Sequence, residues 1–215
     1  MVRVRMLTER LRPDGPDWFA AQQLEKAPRA RPFAALDALP PLDWDTVDRV
    51  LSSTRPLDVL TVVAGQEIRI ARPRARGDVA QLMASGLGVV VRAAEAHDPD
   101  LAALCESFEQ VLPGEVHVQL SVTPAGTISG GWHYDFEDAF IVQLAGANDY
   151  CFRSSTVATR LNARDWLYLP AGCWHRIRCI ENSLSISVSA IPATSRAGAD
   201  DAGRSLHARN QLRPL

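Results

Sequence analysis

From Gly114 to Ile191 the chain is a series of short runs that are either alternating or apolar throughout, with turn residues between them. VHVQLSVT (116–123) alternates at every position, which puts His117, Gln119, Ser121 and Thr123 on one face of a strand. AFIVQL, DYCFR, WLYLP, WHRIRCI and SLSISVSAI follow in close succession. Several short strands in series point to a sandwich or barrel rather than a βαβ sheet. In the last of them Ser185, Ser187 and Ser189 share a face opposite Leu184, Ile186 and Val188. The serine row reads either as a polar inner lining or as a solvated outer face.

The residues ahead of Gly114 have another texture. Pro13, Pro16, Pro28, Pro32, Pro40 and Pro41 break the first 60 into helical and irregular pieces. LDWDTVDRVLSS (42–53) spaces Trp44, Val47, Val50 and Leu51 for one helical face. Segment 58–71 alternates weakly as a strand and runs into the arginine-rich loop RPRARG, expected to be solvated. GDVAQLMASG (77–86) reads as a helix closed by glycine, LGVVV (87–91) as a buried strand, and DPDLAALCESFEQVL (98–112) as an amphipathic helix with Asp98 at its cap. The expected fold is therefore mainly β with a helical N-terminal half. It forms one domain over 1–193, with helix-rich support to about 113, a barrel core over 114–193, and a flexible tail over 194–215.

Composition narrows the class further. The 215 residues fit one domain, and 47% hydrophobic content suffices for a sizeable core. With 23 basic and 25 acidic residues the net charge is −2, which offers no nucleic-acid footprint. No apolar run nears the roughly 18 residues that span a bilayer, and the charged start does not resemble a signal peptide. A soluble, cytoplasmic protein is expected. Cys105, Cys151, Cys173 and Cys179 are scattered without a CxxC pair, as reduced structural thiols would be.

Two of the five histidines sit where chemistry is plausible. His133 opens His133-Tyr134-Asp135, and residues two apart on extended chain face the same side, so imidazole and carboxylate can grip one cation. Forty residues after Asp135, His175 follows a strand and a Pro-Gly turn in LYLPAGCWH. Two histidines and a carboxylate make the facial triad used for non-haem Fe(II), with open positions left for oxygen chemistry. A lone HxD more often marks a turn histidine beside a capping aspartate; the flanking strands and the second histidine favour the metal reading.

The stretches VTPAGTISGGWHYDFEDAFIVQLAGAN (122–148), RDWLYLPAGCWH (164–175) and SLSISVSA (183–190) resemble the JmjC-type, cupin-fold Fe(II)/2-oxoglutarate oxygenases, especially the branch containing ribosomal-protein hydroxylases. The likeness covers roughly 36–192. It implies a double-stranded β-helix, His133, Asp135 and His175 as iron ligands, and 2-oxoglutarate and O2 as cosubstrates. It also implies cosubstrate contacts from Gln119, Ser121, Asn148 and Ser189. The implied reaction hydroxylates a C–H bond of a peptide, protein or amino-acid-derived small molecule. Proteins of this fold often form homodimers, for which the N-terminal helices offer a surface.

One position departs from the pattern. Where the family has glycine, any residue, then lysine or arginine to bind the distal carboxylate of 2-oxoglutarate, this chain reads Gly146-Ala147-Asn148. Asparagine cannot offer a charge-assisted hydrogen bond, which is roughly twice as strong as a neutral one. Arg153, Arg160, Arg176 and Arg178 are the nearest substitute cations, although alternation from His175 turns Arg176 and Arg178 away from the ligand face. Asn148 therefore sustains an alternative, a metalloenzyme whose substrate chelates iron directly. A silent ligand-binding cupin is a third reading. Trp132, Trp166 and Trp174 flank the triad either as pocket walls or as core.

Overall fold

The computed structural model describes residues 28–32, 42–63, 66–68, 72–110, 112 and 114–191. The expected helical pieces before residue 28 and between 33 and 41, and the expected flexible tail 194–215, lie outside the described residues. Eight strands form the barrel: β5 (Glu115–Thr123), β6 (Ile128–His133), β7 (Asp138–Ala145), β8 (Asn148–Phe152), β9 (Thr159–Leu161), β10 (Asp165–Leu169), β11 (His175–Cys179) and β12 (Ser183–Ile191). They divide between a large sheet containing β10-β7-β12-β5 and a small sheet in the order β6-β11-β8-β9, all antiparallel. This is the double-stranded β-helix expected from the sequence.

The strands before Gly114 extend the large sheet. β1 (Arg29–Pro32) pairs with β10 at one edge, while β2 (Asp58–Val63), β3 (Gln66–Ile68) and β4 (Gly88–Arg92) continue from β5 at the other. Two local expectations change here. Residues 29–32, read as helical or irregular, are an edge strand, where a terminal proline is tolerated and four residues are too few to show a period. Segment 58–71 contains two antiparallel strands rather than one. The glycine-containing stretch before His133, outside the strands expected from the sequence, includes β6, because pairing with β11 overrides the weak strand propensity of Gly130 and Gly131.

Among the described residues three α-helices, α1 (Trp44–Leu51), α2 (Arg76–Ala84) and α3 (Pro99–Glu109), accompany these strands. Asp43 caps α1 in a reciprocal box with Thr46. Asp98 caps α3 by accepting from the Asp100 and Leu101 N–H groups, and Arg49 of α1 donates to the same carboxylate at 2.6 Å. The loop arginines fasten rather than float: Arg72 reaches the Leu51 and Ser53 carbonyls, and Arg76 pairs with Asp45.

Period-two alternation splits the large sheet into two environments. Val118, Leu120, Val142, Ile186 and Val188 turn outward and are buried under Val47, Val50, Leu101, Leu104 and Phe108 of α1 and α3. Each such side chain contributes about 1.5–3 kcal/mol of burial. Ala139, Ile141, Leu167 and Leu169 turn inward and pack against Tyr150, Phe152 and Leu161 of the small sheet. Gln119, Ser121, Ser187 and Ser189 share that inner face but are only half-buried, although they lie on central strands. The serine row therefore lines an inner space that solvent enters. The four thiols are free, and burial raises Cys105 to about 12 and Cys179 to about 11. No helix among the described residues is long and apolar enough to cross a membrane.

Beyond Arg92, Glu95 takes over the edge of β5: its carboxylate accepts from the Val118 N–H at 2.9 Å and meets His117 Nδ1 at 3.3 Å. The hydrogen bond to Glu95 raises His117 above its ordinary value near 6.5. Burial pushes Glu95 up, but its bonds from His117 and Val118 outweigh this and leave it below its ordinary value. The pair's contribution to stability is therefore present below the ordinary histidine value and is lost as pH rises through the raised one. We expect the His117 ring, followed by NMR, to titrate above 6.5 in the native protein and to fall back in Glu95→Gln. The variant should also lose the pH dependence that His117 gives to unfolding as pH rises above 6.5.

Candidate metal centre

His133 ends β6 and His175 begins β11, and the two are directly paired across the small sheet. Their ring centroids are 4.2 Å apart. Asp135, just past the end of β6, brings Oδ2 to 3.9 Å from His175 Nε2. One ligand atom from each of the three residues lies within 4.8 Å of the other two. His175 is buried, and His133 and Asp135 are half-buried, so the cluster sits at the mouth of the barrel.

Backbone contacts fix this geometry. The Gly172 N–H donates to the Asp135 carbonyl at 2.8 Å, which ties the loop after β6 to the turn before His175. Asp138 Oδ1 accepts from Tyr168 Oη and from the Ala171 N–H, holding the other side of that turn. His133 Nδ1 lies 2.8 Å from the Gly131 carbonyl and His175 Nδ1 lies 2.9 Å from the Cys173 carbonyl. A carbonyl can only accept, so each Nδ1 carries a proton, and in the neutral ring that leaves the lone pair on Nε2 for a cation. Two neutral imidazoles and a carboxylate, each histidine oriented through its second nitrogen, make a donor set that fits a divalent transition metal.

The residues expected to contact a cosubstrate spread along the inner wall. Ser189 pairs with Ala139 at the metal end, Gln119 donates to Ser121 at 3.3 Å further in, and Asn148 lies at the far end, opposite Cys179. Cys179 is four residues along β11 from His175, about 13 Å at the usual strand rise. Sequence reasoning missed Gln143, although it is the one polar residue in AFIVQL. Its Nε2 donates to the Ala145 and Leu184 carbonyls, which fixes its Oε1 as the acceptor for Asn148 Nδ2 at 3.0 Å. The amide donor of Asn148 is thus engaged within the protein, and its Oδ1 is buried without a hydrogen-bond partner.

None of the four substitute arginines turns inward. Arg160 and Arg178 both bind Asp149, and the Arg160 guanidinium, joined by Arg178, holds that carboxyl below the usual range. Arg153 and Arg176 lie over tryptophan rings. Along the inner wall, Gln119, Ser121, Ser187 and Ser189 therefore offer a carboxylate neutral donors, and none of these four guanidiniums joins them. Of the three tryptophans near the triad, Trp166 is core against Phe140, whereas Trp132 and Trp174 are half-buried beside Arg153.

No protein-family model matches the chain, and a search of curated proteins finds no match. Solved structures do match. YcfD, a ribosomal oxygenase from Escherichia coli, superposes in its complex with cobalt and succinic acid with a TM-score of 0.63 at 18% identity, covering 93% of this chain and 60% of that one. Its complex with cobalt and 2-oxoglutarate gives 0.58 at 16% identity over 93% and 60% of the two chains. The chain has the fold of YcfD and spans about 60% of its length.

His175→Ala should lower affinity for Fe(II) or Co(II) by more than the roughly 10–100-fold that loss of an outer partner costs. The fold should be retained, as judged by circular dichroism, with metal content read by elemental analysis. Equal metal content in wild type and variant would remove the site.

Proposed function

We propose that this protein is an Fe(II)-dependent oxygenase of the 2-oxoglutarate-using kind, hydroxylating a C–H bond of a peptide, protein or amino-acid-derived substrate. The observation that carries this reading is the convergence of His133, Asp135 and His175 at the barrel mouth, with each histidine oriented through Nδ1 by a backbone carbonyl. Three protein ligands leave positions for a chelating cosubstrate and dioxygen. The YcfD complexes with cobalt and 2-oxoglutarate or succinic acid, on the same fold, support the choice of cosubstrate.

When bound, iron with 2-oxoglutarate and dioxygen would supply the oxidising chemistry that hydroxylates an unactivated C–H bond. The chain's own part is to hold the metal through the three ligands, keep each imidazole in the metal-binding tautomer, and wall the space with neutral donors. Gln119, Ser121, Ser187 and Ser189 are the side chains available to a cosubstrate along that wall.

A second reading rests on Asn148. Its donor is held by Gln143 and its buried Oδ1 is an acceptor, which does not suit a distal carboxylate. This favours a substrate that chelates iron without 2-oxoglutarate. Anaerobic titration of Fe(II)-loaded protein with 2-oxoglutarate separates the two readings. The first expects a saturable, weak visible charge-transfer band that disappears in Asp135→Ala. Iron binding with no band at any 2-oxoglutarate concentration removes the first reading in favour of the second.

A further inference from the structure

The strands that carry the metal ligands carry a different set of residues on their other side. Around the ligands the chain reads Trp132-His133-Tyr134-Asp135-Phe136 and Trp174-His175-Arg176, so alternation sets an aromatic or cationic residue beside every ligand. These neighbours touch one another in an unbroken line. Phe136 meets Tyr134 at 5.2 Å between centroids, and Tyr134 meets Trp174 at 5.0 Å. Arg153 lies 3.9 Å over Trp174 and 5.5 Å over Trp132, and Arg176 lies 5.1 Å from the same Trp132 ring. The line starts at Phe136, which is 50% exposed beside Asp135, and ends in a cleft of about 610 Å³ on the outside of the small sheet.

The charge of this strip is unbalanced. Arg160 and Arg178 share the single carboxylate of Asp149, while among the described residues neither Arg153 nor Arg176 has a carboxylate partner. Four guanidiniums and one carboxylate thus gather on one face of a chain whose net charge is −2. Stacking on indole rings holds the planar forks of Arg153 and Arg176 in place and leaves their N–H edges available. A fork fixed in advance loses little entropy when it meets a carboxylate, and it meets one with two parallel hydrogen bonds.

We propose that this strip docks an acidic segment of a peptide or protein, with side-chain carboxylates on Arg153 and Arg176 and the neighbouring chain led over Tyr134 and Phe136 to the metal. Nucleic acid fits less well. Only two of the guanidiniums lack a carboxylate partner among the described residues, fewer than the roughly 6–10 phosphate contacts of a strongly salt-dependent nucleic-acid binder, and the indole faces on which bases would stack already hold guanidiniums. The proposal rests on the peptide or protein branch of the function above, yet its test needs neither iron nor turnover.

The probes are a fluorescein-labelled 12-residue peptide of alternating Glu and Gly, its Gln-for-Glu counterpart, and a 12-nucleotide oligouridylate, followed by anisotropy with the full chain at low and physiological salt. The Glu peptide should bind saturably, and the Gln peptide should not. Arg153→Gln and Arg176→Gln should each weaken binding about five- to tenfold, with the fold checked by circular dichroism. Arg153→Lys should recover only part of the loss, because a point charge does not replace a stacked fork. Absence of Glu-peptide binding, binding indifferent to both substitutions, or oligouridylate binding as tight as the peptide's would each overturn the proposal. Peptide binding that persists when the anaerobic titration gives no band leaves the docking strip standing and removes only the cosubstrate reading.

Discussion

The direct pairing of His133 with His175 across β6 and β11 is the contact on which the site depends. It sets the end of one strand against the start of another, so two imidazoles from residues 42 positions apart arrive side by side without a dedicated loop. The register slips between His175 and Ile177, where the ladder is irregular. A bulge there re-aims the start of β11 without displacing its pairing to β8, which runs unbroken from His175–Phe152 to Cys179–Asn148. The large sheet supplies the rigid half: helices bury its outer face, and its inner face is left free to be polar.

That division explains why so much was legible in the sequence. VHVQLSVT and SLSISVSAI are strictly alternating because one face meets an apolar helical layer and the other meets a wet interior, and such an asymmetry prints a period of two. Asp98 was readable as a cap because capping is local. The convergence of His133, Asp135 and His175 was readable because HxD needs only one extended dipeptide step, and the Pro-Gly turn announces the second histidine. β6 was hidden by Gly130 and Gly131, whose strand conformation is imposed by β11. β1 and β9 are too short to show any period.

The far end of the barrel was illegible for another reason. Asn148 could be recognised as an anomaly, but its meaning depends on Gln143, five residues earlier on a strand of the opposite sheet, and on two backbone carbonyls that fix the direction of both amides. The turn between them is equally specific: Gly146 has φ of +69°, and a Cβ there would fall 2.1 Å from the Asn182 carbonyl oxygen. The fate of the four arginines likewise required a third dimension. Alternation removed Arg176 and Arg178 from the inner wall, but only the position of Asp149 and the two indole rings accounts for where all four go.

The acceptors that orient the two histidines belong to the main chain, two residues upstream in each case. A peptide carbonyl is present whatever side chain follows it, and a Cβ at Gly131 would enter open space. Substitution at position 131 or 173 therefore leaves the proton inventory of the metal-binding imidazoles untouched. A site built this way is shielded from drift around it, and it escapes any search that recognises metal centres by the carboxylates standing behind their histidines.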